Sequence, residues 1–168
     1  LKPPATKTAV GKPPLLVVRY AAPNSLVAGR TDRIARLTVA MKQMLFVGLG
    51  GFIGSVGRYK LGGVILYNTA AWRFPLSTFA VNVLGCFVIG ALAALVEHRD
   101  LFSADTRLFL FTGLLGGFTT FSAFGYEGVF LLRRGEIGIA LAYASLSVVC
   151  GLAAVWLALK LFSFGAHH

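Results

Sequence analysis

Four long apolar runs, separated by short polar stretches, dominate the C-terminal three-quarters of the chain. They cover Met44 to Tyr67, Leu76 to Val96, Leu108 to Leu132 and Ile137 to Phe162. Each reaches or exceeds the ~20 residues that a helix needs to cross a hydrocarbon core of ~30 Å. The intervening stretches, NTAAWRFP, EHRDLFSAD and RRGE, are so short that successive helices must run antiparallel. Pro75 suits the start of the second helix, because its missing N–H would be unpaired in a first turn anyway. Ser103 or Asp105 is placed to cap the third. The pattern predicts an all-α membrane protein with four transmembrane helices.

Composition agrees. The chain has 168 residues, of which 57% are hydrophobic and 13% charged, with 20 glycines. Soluble domains sit nearer half apolar and a quarter charged, and one of this length could not hide so much apolar surface. Cys86 and Cys150 lie deep in apolar runs and read as small buried thiols. His98 falls in a polar stretch and is assigned to a loop, and no Cys/His cluster has metal-ligand spacing.

Charge separates the first forty residues from the rest. Residues 1–40 carry seven Lys/Arg and one Asp, with four prolines in the first fourteen positions. They show no sustained periodicity and are assigned as a basic, disordered extension; residues 41–168 form the membrane domain. Met41 stands directly before the first apolar run, and the expectation is that translation starts there. The basic excess comes without a nucleic-acid motif, so no nucleic-acid partner is expected.

Orientation follows the Lys/Arg asymmetry between alternate loops. Counted from Met41, one side holds Lys42, Arg99, Arg107 and Lys160, and the other holds Arg58, Lys60, Arg73, Arg133 and Arg134. Four against five is no bias. A chain without bias can insert both ways, and two copies in opposite orientations can pair about an axis in the membrane plane. With the basic extension included, the count becomes eleven to five and the tail side is cytoplasmic.

The third run, GLLGGFTTFSAFGYE at 113–127, is too polar for a plain lipid-facing helix. Gly116 and Gly117 precede β-branched Thr119 and Thr120, and this combination marks an interruption near mid-helix. Unwound backbone at that depth is tolerated only where it is buried in protein or lines a polar cavity. Its carbonyls suit a hard cation, and its N–H groups suit an anion. The alternative is that the glycines serve close helix packing, as Gly50-x-x-x-Gly54 does in the first run. Phe121 and Phe124 share a helix face, and the positive edges of their rings can line an anion path. Thr120 and Ser122 add hydroxyl donors.

Other runs carry matching polar groups. Thr78 and Asn82 are four apart on the second helix, and the Asn82 amide offers two N–H donors or interhelical glue. Tyr143, Ser147 and Gly151 lie on one face of the fourth, as a hydroxyl track or a small-residue seam. Charged groups in membrane helices face a cavity or a partner. Arg58 either attracts an anion or pins a loop, and Glu127 reads as a structural or gating group.

Three stretches together, GLGGFIGSVGRY at 48–59, PLSTFAVNVLG at 75–85 and GLLGGFTTFSAF at 113–124, resemble the Fluc/CrcB family of fluoride channels in order and spacing. The resemblance spans Met41 to about Phe162. It implies four-helix subunits with a third helix broken at its middle, paired as antiparallel dual-topology dimers with two fluoride pathways and one central structural Na⁺. By position, it implies that the carbonyls of Gly116 and Thr119 hold the Na⁺. It implies that Phe121 and Phe124 are the pathway rings and Asn82 the pore asparagine. Thr120, Ser122 and Thr78 fall among the polar residues of the pathway, Arg58 closes the first motif, and Tyr143 and Ser147 belong to the fourth-helix polar track. Ala123 and Gly151 depart from hydroxyl residues common at those positions.

The function implied is passive efflux of fluoride from the cytoplasm across the cell (inner) membrane, which lowers fluoride toxicity. The partners implied are the fluoride ion, the lipid bilayer, and a second identical or related subunit. No enzymatic activity is expected, since no nucleophile–base pair or cofactor motif is present. The alternative is a small dual-topology proton-coupled exporter of drugs or cations, which normally needs a carboxylate in its binding chamber.

Overall fold

The computed structural model describes residues 30–99 and 102–163. The described residues are helical, with no strand among them. Helix α1 spans Arg30–Thr69, α2 spans Leu76–Arg99 and α6 spans Ile137–Ser163. The third run is composite. It consists of α3 (Ala104–Arg107), a π-helical stretch Leu108–Leu115, α4 (Gly116–Phe118) and, after a two-residue gap, α5 (Phe121–Arg133). Four stretches, Arg33–Thr69, Leu76–Glu97, Ala104–Arg133 and Ile137–Ser163, are long and apolar enough to cross a membrane. The chain is a multi-pass membrane protein of four spans.

Two expected boundaries move. Helix α1 begins at Arg30, upstream of Met41, so residues 30–40 are not irregular. Ala, Arg, Leu and Met make up more than half of the segment RTDRIARLTVAM and favour a helix, and it propagates directly from the first span. Residues 1–29 of the assigned extension lie outside the described residues. His98 lies in the last turn of α2 rather than in a loop.

The termini use the expected chemistry. Ser103, not Asp105, caps α3 by accepting a hydrogen bond from the Thr106 N–H at 3.2 Å. The Pro75 carbonyl accepts the first bond of α2, from the Phe79 N–H at 3.1 Å. Helix α5 ends on Gly135 at φ +74°, with the Glu136 N–H donating to the Leu131 carbonyl and the Gly135 N–H to the Leu132 carbonyl. That pair of bonds is a Schellman stop, and it needs a residue without a Cβ at the left-handed position.

Glycine sets how the spans pack. A Cβ on Gly50 would lie 2.5 Å from the Phe109 carbonyl oxygen, and one on Gly54 would collide with the Leu114 carbonyl. The facing Gly117 is equally tight, at 2.5 Å from the Gly51 oxygen. The first half of the third span therefore lies backbone to backbone on α1 through glycines of both partners, as small-residue membrane packing allows. Gly90 brings α2 onto α6 in the same way, with its Cβ position 2.6 Å from the Val155 oxygen. Beyond the gap the main partner changes from α1 to α6, while α2 touches the span on both sides of the gap. The break lies where the third span passes from α1 to α6.

The buried core is small. It centres on Leu131, Ala140 and Tyr143, with Phe74, Phe79, Phe124 and Ile139 packed around it. Many large apolar side chains on α1 and α6 are exposed, as lipid-facing or subunit-facing surfaces must be when lipid is the solvent.

Candidate functional site

The break lies at Thr119–Thr120, just after the glycine pair. Both residues have extended backbones, at φ −88°, ψ 157° and φ −148°, ψ 112°. Gly116 and Gly117 form the last helical turn before it. Gly117 serves close packing against Gly51, whereas a Cβ on Gly116 would meet nothing closer than 3.9 Å. The close-packing alternative therefore holds for Gly117.

The Thr119 N–H keeps its helical bond to the Leu115 carbonyl at 3.0 Å, but the groups that follow are redirected. In an unbroken helix the Thr120 N–H would bond to the Gly116 carbonyl; here it donates to Asn82 Oδ1 at 2.8 Å. Asn82 Nδ2 in turn donates to the Thr120 carbonyl at 3.1 Å. The Ala123 N–H, which would serve the Thr119 carbonyl, donates to Thr120 Oγ1 at 3.2 Å. The Gly117 carbonyl accepts from Arg58 Nε at 3.1 Å and from Ser55 Oγ at 3.5 Å. Arg58 thus pins the break from α1, the second of its two readings. The carbonyls of Gly116 and Thr119 have lost their helical donors.

Thr119 is held from behind. Its Oγ1 donates to the Leu115 carbonyl at 2.9 Å, and its methyl group occupies the space where a Cβ on Gly85 would stand. Gly85 is the seat of the break, a role the sequence analysis did not assign. A glycine one turn beyond a polar membrane asparagine was the available signal.

Phe121 and Phe124 come together, with ring centroids 5.6 Å apart and planes tilted by 37°. Their settings differ. Phe121 is 84% exposed on the outer surface of the chain. Phe124 packs on the core, with its ring 5.1 Å from that of Tyr143. Phe74 completes an aromatic column with edge contacts to Tyr143 at 5.4 Å and Phe79 at 5.5 Å. Thr120 Oγ1 and Ser122 Oγ lie 3.2 Å apart beside the exposed ring.

Below Phe124 a carboxylate organises the remaining polar residues. Thr78 Oγ1 donates to one oxygen of Glu127 and the Tyr143 hydroxyl to the other, both at 2.7 Å. Glu127 therefore joins α2, α5 and α6. A carboxylate at membrane depth requires such donors, and this requirement was the signal for pairing it with Thr78 and Tyr143. Ser147, four residues beyond Tyr143, has a buried Oγ with no hydrogen-bond partner among the described residues. A Cβ on Gly151 would lie 3.4 Å from Cys86 Sγ, so the seam reading holds at that end of the α6 face. Both cysteines are free thiols.

Comparison with known proteins fits this architecture. The model of the CrcB-like protein, Camphor Resistance (CrcB) family matches residues 45–159. A protein of Methylobacillus flagellatus named fluoride-specific ion channel FluC is 54% identical over 121 residues, covering 72% of this chain and 94% of the relative. A protein of the same name from Agrobacterium fabrum is 47% identical over 121 residues, covering 72% and 96%. Another from Chlorobium phaeobacteroides is 44% identical over 119 residues, covering 69% and 91%. The match takes in all four spans and every polar residue at the break, and the chain belongs to the CrcB-like family.

Proposed function

We propose that this chain is a subunit of a passive, fluoride-selective channel that lets fluoride leave the cytoplasm. The observation that carries this reading is the clamp of Asn82 on Thr120 beside Phe121 and Phe124. Fluoride holds its water tightly, so a selective pore must replace that shell with fixed donors. Asn82 spends one amide N–H on the Thr120 carbonyl and keeps the second for the pathway. The hydroxyls of Thr120 and Ser122 and the positive ring edges of Phe121 and Phe124 line the same region. Thr78 and Tyr143, joined through Glu127, and the buried Ser147 hydroxyl carry polar groups on toward α6.

Gly116 and Thr119 suit a structural Na⁺. Their carbonyls lack helical donors and present hard oxygen ligands. Bound there with the symmetry-related pair, the cation would supply positive potential near the pathway. Gly116 and Phe121 are exposed on a single subunit, and an oppositely oriented second subunit, identical or related, would cover them. The assembly proposed is therefore an antiparallel dimer in the inner membrane. A proton-coupled exporter is disfavoured because Glu127, the carboxylate within the third span, has both oxygens occupied by hydroxyl donors.

Expression in a fluoride-sensitive bacterium lacking its own fluoride exit route tests the proposal. Growth restored in fluoride medium, but not by Asn82→Leu, is the expected result. No restoration by this chain, with or without a related subunit, would overturn it.

A further inference from the structure

At the end of the molecule beyond Glu127 a cavity of about 390 Å³ opens between the α1–α2 connection, α5 and the α5–α6 connection. Glu127 forms its inner end, and Arg73, Arg134 and Glu136 are the other charged residues that line it. Their exposures differ in a telling way. The side chains of Arg73 and Arg134 are 74% and 59% exposed, while that of Glu136 is only 12% exposed. The cations therefore face water and the anion is sunk beneath them.

The ion pairs are loose. Arg73 Nη1 lies 3.9 Å from Glu136 Oε1, and Arg134 Nε lies 3.6 Å from the same oxygen. Direct charge-assisted hydrogen bonds are about 2.7–2.9 Å long. Each guanidinium carries five N–H donors, so neither is consumed by this contact. Arg134 is steadied instead by the Phe130 ring, 5.5 Å from its Cζ. At the inner end, the two oxygens of Glu127 are covered by the Thr78 and Tyr143 hydroxyls. A small anion approaching from water meets two guanidinium groups before either carboxylate.

We propose that Arg73 and Arg134 form a cationic collar that gathers fluoride at this mouth, and that Glu136 limits the collar's strength by partly neutralising it. The proposal rests on the channel reading and names the residues that govern capture at one end of the path. A cleft rimmed by one sign of charge raises the local concentration of the opposite ion and its capture rate. That gain disappears with salt, because the screening length falls from about 30 Å at 0.01 M to about 3 Å at 1 M.

The test is fluoride efflux from liposomes of uncharged lipid holding the full chain in its native subunit assembly. Fluoride is kept below saturation, and efflux is compared at low and high ionic strength. At low ionic strength, Arg73→Gln and Arg134→Gln should each slow efflux by about twofold or more. Arg134→Lys should stay near the parent rate, and Glu136→Gln should speed efflux. At high ionic strength the differences should close. Both arginines are exposed, so their replacement leaves the fold in place. Equal slowing by the Arg and Glu variants at both ionic strengths, or no change in any of them while the parent conducts, would overturn the collar. A parent chain that passes no fluoride at either ionic strength would overturn the channel reading, and the collar with it.

Discussion

Asn82 grips the backbone of Thr120 at both of its polar groups, accepting from the N–H at 2.8 Å and donating to the carbonyl at 3.1 Å. One side chain on α2 thereby takes up the N–H that the third span frees and braces the carbonyl that opens α5. Replacing Asn82 with Leu would leave the Thr120 N–H unpaired away from water, at about 1–3 kcal/mol. Asn82→Leu should therefore lower thermal stability in detergent and abolish fluoride flux. Asn82→Asp retains the acceptor and loses the donor, and should be intermediate in stability. Unchanged melting and flux in Asn82→Leu would reduce the residue to packing.

Phe121 and Phe124 should separate function from stability. Phe121 projects from the subunit, whereas Phe124 packs on Tyr143. Both Phe121→Ile and Phe124→Ile should abolish fluoride flux while the subunits still pair. Only Phe124→Ile should also destabilise the subunit, by about 0.5–1.5 kcal/mol from its lost ring contacts. Flux assays paired with thermal melts check both halves, and normal flux in both variants would refute the role of the ring edges.

Much of this was legible before any coordinates. The four spans follow from apolar length alone, and Gly50 and Gly54 read correctly as a packing seam. The interruption at Gly116–Thr120 was legible too, but not that the glycines would stay helical, which they do because a partner backbone presses on them, as Gly51 does on Gly117. The two residues that unwind, Thr119 and Thr120, do so because Gly85 and Asn82 on another helix receive them. Such contacts join positions far apart in sequence and leave no local periodicity. The π-helical turns at Leu108–Leu115 carry no local sequence signature either. Arg58 was legible as a charge needing a partner, but its partner, the Gly117 carbonyl, was not.

Close backbone contact predicts sharp intolerance at Gly54. A methyl group there meets the Leu114 carbonyl, which has no room to yield. Overpacking of this kind costs about 1–3 kcal/mol, so Gly54→Ala should cut the yield of folded protein. Gly63→Ala on the same helix meets nothing within 4 Å and should be neutral or slightly stabilising. Size-exclusion profiles and melting temperatures of the pair decide the point.

Glu127 should behave as a junction of three helices. Tyr143→Phe removes one of its two hydroxyl donors and should cost about 1 kcal/mol. Glu127→Gln should be mild, because the Thr78 or Tyr143 hydroxyl can rotate to accept from the new amide. Glu127→Ala leaves both hydroxyls unpaired and should be the most damaging of the three. Melting temperatures in that order support the junction, and equal values for all three would contradict it.

The central claim is passive conduction of fluoride by a small helical pore, and the direct measurement is ion efflux from liposomes containing the purified protein. A fluoride electrode follows release down a fluoride gradient, with chloride release as the control. Fast fluoride efflux with no matching chloride efflux, independent of any pH gradient, is the predicted result. Equal release of both ions, transport that requires a proton gradient, or no fluoride release even with a related subunit co-expressed would contradict it.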